Sequence, residues 1–357
     1  MGKKVKDIQV GVVLPVYHQE KAYIRECINS LETQQFRNFK LIIVLDGANE
    51  QTVKTTIEAS QTLTISFQII HRQQNRGIAF SLNEGFSHLK DCDYLTWVSS
   101  DNRQNPHFIH TLVKAIINAP KDVVLVYSLF HIINGRGKRI SNETSYRTKK
   151  TKYMNRPKEQ IVQTCFIGAS FLFTRNSYLK AGGYDPNYEK VEDYEFWMRL
   201  LRVGEILFVP EFLMEYRLAG RFSYTTITSP DKIKMLSLKA SIKNRRRNGD
   251  IPNVTVLLYS YNQEKNISRA IQSVLNQTNS NFHLMLIDDG SIDKTGSLMN
   301  KFQDSRIIPL LLTKSRGRKE ALAIGHKYAL GKYVIELDGD DTIEPKMLEI
   351  IVRELHQ

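Results

Sequence analysis

The sequence predicts an α/β protein with a parallel sheet, and three observations lead there. Apolar, β-branched runs alternate with stretches of helical periodicity. One strand–helix–strand unit occurs twice, at residues 1–106 and again at 250–345. Each strand-like run ends in a polar turn that feeds a helix, the arrangement that gives right-handed crossovers and parallel neighbours.

The first strand is expected at 10–16 and its repeat at 254–261. A helix follows, with Tyr23, Ile24, Cys27, Ile28 and Leu31 at helical spacing. A second apolar strand, 39–45 or 282–287, then ends at Asp46-Gly47 or Asp289-Gly290. Tyr17 and Tyr261, "QEK" in both copies, and Phe39 and Phe282 fall into register with those glycines. "NRGIAFSLNEG" (75–85) echoes "SRGRKEALAIG" (315–325). Each copy then reaches an acidic frame before Pro106 or Pro345: "TWVSSDN" (96–102) in the first, "IELDGDDTIEP" (335–345) in the second. Only the first copy continues, through a helix at 107–118, a strand at 123–130, a basic loop and "CFIGASFLFTRNSYLKAGGYDPNYEKVEDYEFWMRLLRVG" (165–204). The expected domains are 1–227, a basic linker at 228–251 with Pro230, Gly249 and Pro252 as breakers, and a partial unit at 252–357.

Composition narrows the class. With 24% charged and 41% hydrophobic residues the 357-residue chain is globular rather than disordered. No apolar run approaches the roughly 18 residues that span a bilayer, and no apolar segment follows the basic N-terminus as in a signal peptide. Cys27, Cys92 and Cys165 are unpatterned, which fits a reducing cytoplasm. The net charge of +13 is concentrated at 136–158 and 232–247, patches that suit an anionic partner such as a nucleotide diphosphate, an acidic glycan or an anionic membrane surface, or simply a solvated loop and linker. Nucleic acid is not expected, because only Tyr146 and Tyr153 interleave those basic runs.

Ligands in such sheets bind outside the carboxyl ends of the strands, so "PVYHQE", "LDGANE" and "SSDN" should face one crevice. A hard divalent cation takes one or two carboxylates and completes its shell with phosphate oxygens and water. Asp338, Asp340 and Asp341 suit that role, and Asp101 supplies one ligand in the first copy; these residues equally suit a capped turn before a helix. Asp46 and Asp289 can accept from a nucleobase or ribose hydroxyl, or close an Asx-turn into glycine. Glu192 and Asp193 open an amphipathic helix, where a carboxylate either complements the helix N-terminus or serves as a general base. His107 and His110 share a helical face but lack a third ligand. "GRGKR" (135–139) lacks the frame of a phosphate-binding loop.

These stretches together resemble the inverting glycosyltransferases of family 2, which have the GT-A nucleotide-diphospho-sugar fold. "PVYHQEKAYIRECINSLETQQFRNFKLIIVLDG" is similar to the family's opening, "YSYNQEKNISRAIQSVLNQTNSNFHLMLIDDGSIDKT" is close to its consensus, "LDGDDTIEP" resembles its DXD motif, and 165–200 resembles its acceptor half. The resemblance implies Pro15, Tyr17 and Asp46 in the nucleotide pocket, Asp101 at the last DXD position touching Mg²⁺ or Mn²⁺, and Asp193 as the catalytic base. In the second copy it implies Tyr259, Tyr261 and Asp289 for nucleotide and Asp338 and Asp340 for metal. The first copy departs at Ser99 and Leu45, where acids are usual, though some members carry a hydroxyl residue at the place of Ser99. It also has Ala219 where a His is frequent after Tyr-Arg.

The expectation is therefore a complete GT-A domain followed by a partial one. It would be a cytoplasmic enzyme, peripheral at an anionic membrane through its basic patches and able to self-associate, that moves a sugar from a UDP-sugar to a glycan or other hydroxyl acceptor. By family analogy its product is a bacterial surface polysaccharide such as capsule, teichoic acid or spore coat. The rival expectation is a nucleotide- or glycan-binding scaffold built from degenerate GT-A domains.

Overall fold

Strand β1 (Val10–Val16) is buried along nearly its whole length, as the central strand of a sheet covered on both faces must be. In the computed structural model, which describes residues 5–140, 143–218 and 228–355, it lies in the first of two units. That unit comprises residues 1–158 and 165–228; the second comprises 159–164 and 229–357.

In the first unit β1 is joined by β2 (Phe39–Asp46), β3 (Ser66–Arg72), β4 (Tyr94–Trp97), β5 (Arg103–Gln104), β6 (Val123–Ile133), β7 (Phe171–Thr174) and β8 (Glu205–Arg217). The order across the sheet is β3-β2-β1-β4-β7-β6-β8-β5. The four strands of the repeated unit run parallel, as helical crossovers dictate. The remainder departs from the expected parallel sheet. β7 is antiparallel to both β4 and β6, and β5 is antiparallel to β8. The chain leaves β6 and comes back beside it as β7, so no crossover over a sheet face is needed there.

Helix α1 (Lys21–Glu32) covers one face. Its Ile24, Cys27, Ile28 and Leu31 are all buried, and a fully buried Ile or Leu contributes about 1.5–3 kcal/mol. The basic stretch after β6 is not wholly loop: Glu143–Met154 is a helix.

In the second unit β9 (Val254–Ser260), β10 (Phe282–Asp288), β11 (Ile307–Leu311) and β12 (Tyr333–Asp338) are all parallel, in the order β11-β10-β9-β12. This is the β3-β2-β1-β4 arrangement again. Its register pairs Ser260 with Asp288 where the first unit pairs Val16 with Leu45. Residues 230–247, within the stretch expected to link the copies, form a helix capped by Ser229. Arg245 on that helix is buried, paired with Asp250 and donating to the Ser305 and Ile307 carbonyls, so it is no part of a solvated basic patch. No helix among the described residues is long and apolar enough to cross a membrane.

Candidate active site

Both copies use the same device at the end of their second strand. Asp46 is buried, and its carboxylate accepts from the backbone N–H groups of Arg76 (3.0 Å) and Gly77 (2.9 Å) and from Arg72 Nη1 (2.9 Å). Asp289 accepts from the N–H groups of Arg316 (2.8 Å) and Gly317 (3.0 Å) and from Ser315 Oγ (2.7 Å). Tyr259 OH lies 3.5 Å from the same carboxylate. Each aspartate thus clamps the Arg-Gly turn that opens the next helix, and much of its accepting capacity is used internally. The adjacent glycines are required: at Gly47, φ is +64° and a Cβ would sit 2.4 Å from Asn75 N. Tyr17 and Tyr261 are 43% and 42% exposed at the strand end, and the Tyr17 ring is stacked on His18 with centroids 3.8 Å apart. Pro15 is partly buried beside Tyr17.

Past β4 the chain turns through Ser99, Ser100 and Asp101. Ser99 Oγ donates to Asp101 Oδ1 at 2.7 Å, so this frame is a carboxylate-plus-hydroxyl pair. Burial pushes the Asp101 carboxyl above its ordinary range, against the pull of the Ser99 hydroxyl, its own backbone N–H and the Arg217 charge. Arg217 was legible in the sequence only as part of "EYRLAG", yet it organises this turn. It is 1% exposed, and its guanidinium donates to the Asp101 carbonyl (2.9 Å) and to the Asn134 and Gly135 carbonyls (both 3.1 Å). It also pairs with Glu26 and lies 4.0 Å above the Tyr23 ring, while its backbone N–H donates to Asn102 Oδ1 at 3.0 Å. Cys27 Sγ donates to the Ser99 carbonyl at 3.4 Å, so this cysteine supports the turn from beneath. Ala219 lies outside the described residues.

Asp193 lies in the first turn of the helix Glu192–Leu200. Trp97 reaches it from the last position of β4, with Nε1 3.2 Å from Asp193 Oδ1 and 3.1 Å from Tyr184 OH. The Tyr184 hydroxyl also hydrogen-bonds the Asp193 carboxylate. Trp97 stands two residues before Ser99, so one strand end positions both the acidic turn and this carboxylate. Burial first, then the Glu192 charge, raises the Asp193 pKa well above the ordinary carboxylate range, and the two hydrogen bonds oppose that rise. Glu192 is buried and raised too, although it accepts from Lys190 N–H. A partly exposed carboxylate with elevated basicity, oriented by two donors, suits proton abstraction. Trp97 and Tyr184 were not singled out in the sequence; the available signal was a tryptophan, one of two in the chain, beside an acidic turn.

The fuller motif of the second copy is differently placed. Arg318 Nη2 lies 3.0 Å from Asp338 Oδ1 and 3.6 Å from Glu336, so a half-exposed guanidinium already pairs with the first aspartate of the motif. Asp340 and Asp341 are exposed. Among the described residues no three His, Cys, Asp or Glu side chains cluster closely enough to hold a metal unaided, and this applies to His107 and His110 as well. Asp101 with Ser99 nonetheless fits a cation that takes one protein carboxylate and draws its other ligands from diphosphate and water.

Comparison with known proteins identifies the family and the fold. The family model described as "Glycosyl transferase family 2" matches residues 11–181 and again 255–357. An uncharacterized glycosyltransferase of Rickettsia felis is 24% identical over 96% of this chain and 62% of its own length. Hyaluronan synthase of Pasteurella multocida is 24% identical over 88% of this chain and 36% of its own length, so the chain spans only part of the relatives it matches. Among solved structures, S. aureus TarS 1–349 in complex with UDP-GlcNAc has a TM-score of 0.51 at 17% identity, covering 66% of this chain and 67% of that one. A mannosyltransferase from Pyrobaculum calidifontis in complex with GDP-Man and Mn²⁺ has a TM-score of 0.50 at 13% identity, covering 67% and 63%. These structural likenesses establish the GT-A fold.

Proposed function

The chain belongs to glycosyl transferase family 2, and on that premise we propose that its first unit transfers a sugar from a nucleotide-diphospho-sugar, a UDP-sugar, to a hydroxyl acceptor with inversion. The observation that carries this reading is the placement of Asp193 and the Ser99–Asp101 turn at the end of one strand, linked by Trp97. The exposed Tyr17 ring with Pro15 offers a stacking surface for the base, and Asp46 fixes the loop beside it. Asp193 takes the proton of the acceptor hydroxyl as that oxygen attacks the anomeric carbon from the face opposite the diphosphate. The new glycosidic bond forms as the anomeric carbon–oxygen bond breaks, and the diphosphate leaves with the electron pair. Trp97 and Tyr184 hold the carboxylate in position for this transfer. Asp101, with Ser99 beside it, would hold the Mg²⁺ or Mn²⁺ that the family resemblance implies, and such a cation would offset charge on the diphosphate. The relative named hyaluronan synthase supports a polysaccharide product, and we place this chain in bacterial surface polysaccharide synthesis.

For the second unit a nucleotide-binding role is favoured, because Arg318 already pairs with Asp338. Tyr259, Tyr261 and Asp289 would then hold nucleotide, with Asp340 the remaining acid for a cation. The reading is tested by measuring UDP release across a panel of UDP-sugars with wild type and Asp193→Asn. A loss of about 10²–10⁴-fold in turnover at unchanged UDP affinity is expected for removal of a general base. Unchanged turnover would refute the assignment.

A further inference from the structure

The charges of the basic segment are not equivalent. Arg139 pairs with Glu215, Lys158 pairs with Glu205, and Arg147 donates to the Pro210 carbonyl at 2.9 Å. Lys150 and Arg156 have no carboxylate partner among the described residues and are instead gathered around one aromatic ring. Lys150 Nζ lies 4.1 Å from the Phe130 ring centre and 5.6 Å from that of Tyr153. The Arg156 guanidinium lies 4.8 Å from the Tyr153 ring, and its Nε donates to the Tyr153 carbonyl at 2.8 Å. Aromatic faces hold a cation in place without neutralising its charge.

This pair sits at the acceptor half of the site. Tyr153 OH donates to the Cys165 carbonyl at 3.0 Å. The turn after Cys165 is pressed on the same aromatic surface: Gly168 has φ +73°, and a Cβ there would come 2.6 Å from Phe130 Cε1. Beyond the turn, Phe171 packs edge-on to Trp97, the residue that holds Asp193. The half-buried Cys165 registers both ends of this path. Its thiol is pushed up to about 12, first by burial and then by the Asp193 charge, while Lys150 pulls it down. Burial lowers the Lys150 pKa, which is the behaviour of an ammonium that has lost water.

We propose that Lys150 and Arg156, arrayed on Tyr153 and Phe130, form a subsite for an anionic group, carboxylate or phosphate, on the sugar acceptor. This rests on the reading of Asp193 as the base that faces that acceptor. A half-desolvated cation with no carboxylate partner among the described residues gains more from an anion than a fully solvated one. The subsite therefore selects acidic acceptors over neutral ones of the same shape, and the surface lysines 149 and 152 contribute only weak, salt-screened attraction.

The test is a ligand-detected NMR titration of the full chain, with and without UDP and Mn²⁺, using methyl β-glucuronide, methyl β-glucoside and glycerol 3-phosphate. Variants are Lys150→Met, which keeps the stem against Phe130, Arg156→Gln, and the double substitution. At least one anion should bind about tenfold or more tighter than the glucoside, a difference of 1.4 kcal/mol. The glucuronide binding better assigns a carboxylate-bearing acceptor, and the glycerol phosphate a phosphate-bearing one. The double variant should abolish the preference and leave UDP binding intact. Equal binding of neutral and charged probes, absence of binding by either anion, or a preference that survives the double substitution each overturns the subsite. Failure of UDP to bind counts against the donor reading instead, and the UDP-free titration still reads the anion preference.

Discussion

Trp97→Phe perturbs the proposed base without touching its carboxyl group. The change removes one indole N–H, placed 3.2 Å from Asp193 Oδ1, and keeps an aromatic ring near Phe171. A hydrogen bond to a charged group contributes about 1.5–3 kcal/mol, and one pKa unit corresponds to about 1.4 kcal/mol. Losing this bond should therefore raise the Asp193 pKa by about 1–2 units, because the bond favours the ionised form. Tyr184 OH remains as a donor, which places the expected shift at the lower end. The assay is the pH dependence of kcat/KM from UDP release. The acidic limb of the variant should move up by about one unit, so that turnover on that limb falls about tenfold and recovers as pH rises above it. A loss that is uniform at every pH would instead report disturbed packing, and an unmoved limb would refute the role of Trp97 in setting the basicity of Asp193.

Other perturbations separate the two units and the two kinds of buried charge. Arg217→Met leaves three carbonyls without their donor, while the partly exposed Glu26 keeps Arg103 at 3.8 Å, so urea denaturation should report a loss of about 1–3 kcal/mol, the cost of unsatisfied buried acceptors. Arg318→Leu frees Asp338, and Mn²⁺ should then bind the second unit more tightly, read by paramagnetic broadening in an Asp101→Asn background that silences the first site. Glu192 is raised to about 7 by burial foremost, so the folded state binds a proton that the unfolded state releases between its ordinary value near 4.5 and about 7. Stability should fall as pH rises through that window; Glu192→Gln should flatten the slope and gain up to about 3 kcal/mol above it, measured as urea midpoints against pH.

Much of this site could be read from the sequence because its parts are local. An Asp-Gly pair at a strand end, an Arg-Gly turn opening a helix and an acidic frame before proline are turn chemistry, visible within a few residues. Their repetition at 1–106 and 250–345 also announced the shared β3-β2-β1-β4 and β11-β10-β9-β12 sheets. The antiparallel β5 and β7 were not visible, because strand direction depends on where the intervening chain travels rather than on apolar periodicity.

By itself, then, the sequence determined the α/β class, the doubled unit and the acidic stretches in which Asp101 and Asp193 stand. Only the tertiary structure decided which groups those acids meet. Trp97 reaches Asp193 across 96 residues and Arg217 reaches the Asp101 carbonyl across 116, contacts set by sheet order. The same holds for the second copy, where the first aspartate of the fuller acidic motif is paired with Arg318 from a neighbouring helix. Periodicity and turn signals record how each segment treats water and its own backbone; the electrostatics of a site depend on charges brought together by crossovers, which no local pattern encodes.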